Sequence, residues 1–400
     1  MGERRSVRGQ FRLEGDRANS GKAREPDTFM GNALRIRLRC PDCGRGGREA
    51  LLELSEEGYL RCQGGHAFHH EEEIILLRAR DARERLAQEG HEHSGSGYGQ
   101  APTFRAAIRT RRWGVVGDYF FYRFSDPTAV AAFAALSVLA KLSGPALDLC
   151  CGAGHMSFLM RSLGYRGHLI GVDSDLRLLR LARRYVVPDQ ELIWWNASEG
   201  LPFEDGVFGA VVCADALHYV ANKARALADV LRVLRPGGLV VLAHVHNAGC
   251  HHYTPGEPVA VEDCARLLRG SDLGFLRERE LVGAAVNGAS APLRAAKEVE
   301  GDPSYSVIVS RAGFPFEEVG PVPPPGARGE LRINPLYRTS NVGLGTAGIF
   351  VWPSRRYAKE FSCAREYLPR LVWLPADWRT APTESLLRRR VLLWLPDRYL

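Results

Sequence analysis

A doubly wound α/β sheet of seven strands is the fold class the sequence predicts, flanked by a small N-terminal metal-organised module and an α+β C-terminal extension. Three observations carry this. Between Pro145 and about Ala312 short apolar runs alternate with amphipathic stretches, the pattern of parallel strands joined by helices. A glycine-rich turn, LDLCCGAGH (Leu147–His155), follows one apolar run and opens directly into a helix pattern. Near the N-terminus two Cys/His pairs bracket a segment too short to build a core of its own.

In chain order, residues 1–34 mix Arg, Gly, Glu, Asp, Ser and Asn without apolar period and are expected to be a disordered tail; whether Met1 or Met30 is the start is left open. Residues 35–88 form the module, read as two hairpin-like pieces followed by a helix over EEEIILLRARDARERLA. A Gly/Ser-rich linker spans 89–103. In SDPTAVAAFAALSVLAKL, Ser125 or Asp126 supplies the cap and Pro127 the first turn of a helix. The predicted domain then runs over 104–312. PALDLC, GHLIGVD, ELIWWNA, FGAVVCAD and GLVVLAHV are its strands, and HMSFLMRSL, DLRLLRLARRY and NKARALADVLRVLR its helices. GFLRERELV and YSVIVSRA are expected to close the sheet as an antiparallel pair. After a PVPPPG break, residues 313–400 are expected to contain a hairpin of ELRINPLYR with GIFVWPS and a helix around Tyr357–Tyr367.

Composition narrows the function classes. With 45% hydrophobic and 25% charged residues the chain of 400 is an ordinary globular protein. No apolar run approaches bilayer length and no signal-type apolar segment follows the basic N-terminus, so a cytoplasmic protein without membrane contact is expected. Nine cysteines in a chain of this size do not suggest a disulfide framework. A net charge of +7 suits an acidic partner such as RNA, but much of the excess lies in the tail, and charge alone decides nothing.

The glycine turn is the sharpest chemical signal. Gly152 and Gly154 let a ligand approach the backbone, while Asp148 precedes the loop, where it suits an amino group better than a pyrophosphate. The spacing is not GxGxxG. Asp173 ends the next strand, at the place where an acid binds ribose hydroxyls. WWNASEGLPFEDGVFGAVV, ADALHYV and RVLRPGGLVVLAH follow in order. Together these segments, over about Pro145–His246, resemble the Rossmann-like class I S-adenosylmethionine (SAM)-dependent methyltransferases, and in particular the type 11 group. The resemblance implies that Asp148, Gly152 and Gly154 hold the methionine part of SAM and Asp173 the ribose. Asn196, Ala197 and Ser198 would lie beside the adenine, and Asp215 to Leu217 below the sulfonium. Asn196 stands where the family usually has Asp. Cys150 and Cys151 are read as packing under the loop, and Tyr119 and Tyr122 as either a cap over the cofactor or core.

In the module, Cys40-Pro-Asp-Cys43 and, eighteen residues on, Cys62 with His66 offer the soft donor set of a closed tetrahedral zinc site with a structural role. His69 or His70 is an alternative fourth ligand. The segment CPDC…LRCQGGHAFH also resembles the zinc finger preceding the catalytic domain of bacterial large-subunit rRNA guanine methyltransferases, which implies RNA as an alternative substrate. The basic charge and arginine clusters such as Arg109, Arg111, Arg112 and Arg388 to Arg390 suit that alternative, though such clusters are usually a solvated face.

For the acceptor, methyl transfer mainly requires alignment and exclusion of water, with a base only where the acceptor proton has a high pKa. His218, after the ADAL turn, and His246, at the end of the fifth strand, are the candidate catalytic residues. The run HVHNAGCHHY also offers donors for a second metal. A small-molecule acceptor is the expectation, with RNA and a non-catalytic SAM-binding scaffold as the alternatives. The oligomeric state is not legible.

Overall fold

The computed structural model describes residues 36–45, 49–55, 58–77, 101–109, 113 and 116–400. The predicted tail, nearly all of the predicted linker, and Arg111 and Arg112 lie outside the described residues.

The N-terminal module contributes β1 (Glu53–Leu54), β2 (Leu60–Arg61), β3 (Ala67–Glu71) and β4 (Ile74–Leu76), each antiparallel to the next. The core follows with β5 (Ala146–Leu149), β6 (Leu169–Asp173), β7 (Glu191–Trp194), β8 (Phe208–Ala214), β9 (Leu234–His246) and β10 (Asp272–Arg277). A short β11 (Ala291–Pro292) precedes β12 (Ser304–Ser310) and pairs with β13 (Glu318–Val319). Seven strands in the order β7-β6-β5-β8-β9-β12-β10 form the doubly wound sheet, with β12 antiparallel to both neighbours. The reversal of strand order at β5 and β8 opens a crevice beyond their carboxyl ends, where such folds bind ligands.

Local chemistry explains the elements. β5 and β6 are buried along their whole length, as strands covered by helices on both faces must be. The helix Pro127–Leu136 is buried on every side, starts with Pro at its first turn, and is capped by Asp126, which accepts from the Ala129 amide at 2.7 Å. The helix Lys223–Val233 buries only Ala226, Leu227, Val230 and Val233, one face of an amphipathic pattern.

Three features differ from the sequence expectation. The run Ile74–Leu76, expected in a helix, is strand β4, and it pairs in parallel with β7 (Ile74 with Leu192, Leu76 with Trp194). Its contiguous β-branched and apolar side chains are all buried, and a sheet edge takes such a run better than a one-sided helix does. The three preceding glutamates are turned outward by positive φ at Glu72 and Glu73 and meet Arg180, Arg183 and Arg184. The module is thereby an extension of the core sheet, eleven strands in all. At the other end, GFLRERELV divides: β10 stops at Arg277 and ERELV begins the helix Glu278–Asn287, whose first turn holds Glu278 and Glu280.

In the C-terminal segment, β14 (Glu330–Ile333) pairs with β18 (Leu392–Leu395). The hairpin lies instead between β15 (Tyr337–Val342) and β16 (Gly345–Phe350), with β17 (Leu371–Leu374) on its flank. The turn sits at Gly343, whose φ of +57° suits glycine. This segment shares the core of the sheet domain. Tyr399 stacks on Phe104 with ring centroids 4.7 Å apart and bonds His155 Nε2 at 3.0 Å, and the Tyr367 hydroxyl donates to the Ser125 carbonyl at 2.8 Å.

Candidate functional site

A cavity of about 500 Å³ opens over the carboxyl ends of β5, β6, β7 and β8. Its floor is the turn after β5. Gly152 (φ +54°) and Gly154 (φ +82°) are both left-handed, and a Cβ at Gly154 would lie 2.6 Å from Val187 Cγ2, so the turn requires glycine there. Cys150 and Cys151 line the cavity together with Gly152, so they face the ligand space as well as packing under the loop. Asp148 lies one layer behind. Its Oδ2 accepts from the Ser157 amide at 3.0 Å and hydroxyl at 2.6 Å, tying the strand end to the following helix. Burial pushes Asp148 up to about 7 despite these bonds.

Asp173, at the end of β6, lines the cavity. Its Oδ2 accepts from the Gly152 amide and its Oδ1 from the Asp175 amide, both at 2.8 Å. Burial pushes it up to about 6 against those bonds. Asn196 and Ala197 border the same space, and Asn196 Oδ1 accepts from the Ser198 amide at 3.0 Å. Ser198 turns away, its hydroxyl accepting from the Ala221 amide at 3.0 Å.

Asp215 follows β8 in a left-handed conformation, φ +54°, and lines the cavity next to Ala216 and Tyr219. Its Oδ2 accepts from the Tyr119 hydroxyl at 2.7 Å and meets Arg123 at 3.4 Å. Burial would raise Asp215, but His244 and Arg123 hold it well below the ordinary carboxylate range. Tyr119 is on the wall, whereas Tyr122 packs against Tyr357 behind it. Leu217, His218 and His246 are buried and off the wall. His218 stacks on His246 at 3.9 Å between centroids, and neither of its ring nitrogens has a hydrogen-bond partner among the described residues. Burial and the neighbouring His246 push His218 down to about 3.

The sequence reading missed the far wall. Ser354, Arg356, Tyr357, Glu360 and Phe361 of the C-terminal segment face the strand ends, beside Thr254 and Pro255 from the loop after β9. Burial pushes the Glu360 carboxyl up. No local motif marks these residues: the signal is a helix, Arg355–Glu360, capped by the Ser354 hydroxyl, whose buried Tyr357 packs on Trp352 and Phe361.

In the module, the structure brings together the four residues Cys40, Cys43, Cys62 and His66. His66 Nδ1 lies 3.6, 3.5 and 3.4 Å from the sulfurs of Cys40, Cys43 and Cys62, and Cys43 Sγ lies 3.6 Å from Cys62 Sγ. A tetrahedral ion with bonds of about 2.0–2.3 Å sets its donors about 3.3–3.8 Å apart, so this donor set fits zinc without rearrangement. A turn in which the Cys62 amide donates to the His66 carbonyl closes the second pair. His69 and His70 sit on β3, outside the cluster, with His69 edge-on to Tyr59.

Comparison with known proteins agrees with this geometry. The family described as "Methyltransferase domain" matches residues 147–242. The chain is 35% identical over 113 residues to the 2-phytyl-1,4-naphtoquinone methyltransferase of Nostoc punctiforme, covering 27% of this chain and 49% of that one. It is 36% identical over 100 residues to the demethylmenaquinone methyltransferase of Lactiplantibacillus plantarum, covering 24% and 42%. The chain thus spans about half the length of these relatives or less. A solved SAM-dependent methyltransferase of Aquifex aeolicus aligns at 16% identity and a TM-score of 0.33, over 48% of this chain and 95% of its own. Residues 147–242, the stretch similar to that family, hold the glycine turn, Asp173 and Asp215.

Proposed function

We propose that the protein is a SAM-dependent methyltransferase acting on a small-molecule acceptor, with a structural zinc in its N-terminal module. One observation carries the reading: a single cavity joins the glycine turn and Asp173 on one side to Asp215 and the C-terminal helix on the other. When bound, SAM supplies an electrophilic methyl group on a sulfonium.

The residues divide the work. Asp173, ionised, accepts from two ribose hydroxyls, and the left-handed turn at Gly152 and Gly154 admits the methionine part against backbone. Asp148 acts through Ser157 by fixing that turn. Asn196 and Ala197 border the adenine, with Ser198 holding the loop behind them. Asp215 and Tyr119 lie where the methyl group is presented, and Leu217 packs beneath. His218 and His246 stand behind Asp215 as positioning groups, since neither reaches the cavity wall. Tyr357 and Phe361 exclude water, which in-line transfer requires.

The two relatives, named for quinone-type acceptors, support a small molecule over RNA. Incubation with methyl-labelled SAM and a cell extract, then separation into RNA, protein and small-molecule fractions, tests this. Label in the small-molecule fraction is expected; label lost on RNase treatment would replace the acceptor class with RNA. For the module, metal analysis of Cys40→Ser should show one zinc fewer per chain, and unchanged zinc would remove that assignment.

A further inference from the structure

The geometry points to a second metal site, a divalent first-row ion such as zinc held by Asp215, His244 and His246 beside the acceptor half of the cavity. The donor atoms, Asp215 Oδ1, His244 Nε2 and His246 Nε2, all lie within 4.8 Å of one another. Both imidazoles converge on the same carboxylate oxygen, His246 Nε2 at 3.4 Å and His244 Nε2 at 3.8 Å. Those separations exceed an N–H···O hydrogen bond, which closes to about 2.7–3.2 Å. Nitrogen and oxygen donors sharing a tetrahedral ion lie about 3.3–3.5 Å apart; the His246 separation matches this, and His244 lies a few tenths of an ångström beyond it.

The surroundings prepare the same atoms. His244 Nδ1 lies 2.7 Å from Glu278 Oε2, so its ring is fixed by a carboxylate on the far side and Nε2 is directed at Asp215. His246 Nδ1 faces the Thr254 hydroxyl at 3.4 Å. Metal-binding histidines are characteristically oriented through their second nitrogen in this way. On Asp215, Tyr119 and Arg123 occupy Oδ2 and leave Oδ1 to the histidines. Charge argues in the same direction. Asp126, Asp215 and Glu278 are three carboxylates in a chain of direct contacts with Arg123 and His244, and a divalent ion in place of the His244 proton brings the group to neutrality. Asp215 and His244 are both non-glycine residues in the left-handed region, at φ +54° and +52°.

Two imidazoles and a carboxylate leave at least one coordination position open, as in catalytic rather than structural sites. Asp215 is on the cavity wall while His244 and His246 lie behind it, so the ion would sit behind the wall, one side chain away from the acceptor. Its role there, which rests on the methyltransferase reading, is to fix the Asp215 carboxylate that faces the acceptor. The ion binding itself does not depend on that reading.

The test uses the full-length, zinc-loaded protein without methyl donor or acceptor, so its failure is separate from failure of the transfer reading. Metal analysis at chelator-buffered zinc should give two ions per chain in the native protein, and one in Asp215→Asn and His246→Gln. Adding Co2+ to the protein with its cysteine site filled by zinc should produce weak d–d absorption without a thiolate charge-transfer band. Glu278→Gln should weaken the second ion by roughly 10–100-fold while the first is retained. If His246→Gln fails to fold, His244→Gln carries the same measurement. One ion in the native protein, or two that persist in both Asp215→Asn and His244→Gln, would overturn the proposal and leave a proton on His244 as what joins its two carboxylates.

Discussion

The two halves of the cavity are built by different means. Its cofactor half is made from strand ends and backbone: the glycine turn after β5, the Asp173 carboxylate tied to two amides, and the Asn196 turn after β7. The opposite half is made from side chains that arrive from distant parts of the chain. Asp215 comes from β8, Thr254 from the loop after β9, and Tyr357 and Glu360 from the C-terminal segment. A backbone cradle suits a ligand common to many enzymes. A wall of charged and aromatic side chains can be exchanged without disturbing the sheet, and on the proposed function that is where selectivity between acceptors would reside.

Substitutions can break that division. Asp173→Ala should have the largest effect, weakening SAM binding by roughly 10–100-fold through loss of charge-assisted bonds worth about 1.5–3 kcal/mol, as calorimetry would show. Unaltered affinity would mean the carboxylate serves only the loop amides. Gly154→Ala should destabilise the fold by about 2–3 kcal/mol, because it combines a left-handed residue with a Cβ driven into Val187; denaturant midpoints report it. Across the cavity, Glu360→Gln should change the acceptor KM by up to about tenfold with SAM affinity held within about twofold, the size of one partly exposed polar contact. A shift in SAM affinity instead would erase the distinction between the halves.

The pH dependence sharpens the same comparison. Burial raises Asp173 from an ordinary 3.8 to about 6. A carboxyl raised in the folded state binds more protons there than when unfolded, so in the ligand-free chain its contribution to stability falls as pH rises from about 4 to about 6. Ligand binding needs the ionised form, so SAM affinity should decline as pH falls through about 6, by up to about tenfold per unit. Titration calorimetry from pH 5 to 8 should show the step, and Asp173→Asn should remove it.

Much of the cofactor half was legible because its determinants are local. The turn Leu147–His155 holds strand end, glycines and helix start within nine residues, and Asp173 ends the next apolar run. Cys40, Cys43, Cys62 and His66 were legible for the same reason: two short-spaced pairs need only one closure to meet. The acceptor half was not, since what brings Tyr357 and Glu360 across from Asp215 is the burial of Tyr367 and Tyr399 against the core, a long-range packing event without a motif. The strand β4 was misread as helix because a short apolar run has no period of its own, and the partner that decides it, β7, lies more than a hundred residues away. His218 and His246 were singled out as residue types near the strand ends, but burial behind the wall is invisible to spacing.

The pairing of β4 with β7 has a consequence for solubility. Without the module, β7 would end the sheet with a row of unpaired amides and carbonyls beside the wholly buried Leu192, Ile193 and Trp194, a template for another chain. The module replaces that four-residue, mostly apolar edge with β1, two residues long and exposed on both. Stripping the cysteine cluster of zinc would therefore show itself as self-association, with one molecule's β7 adding to the β7 of the next.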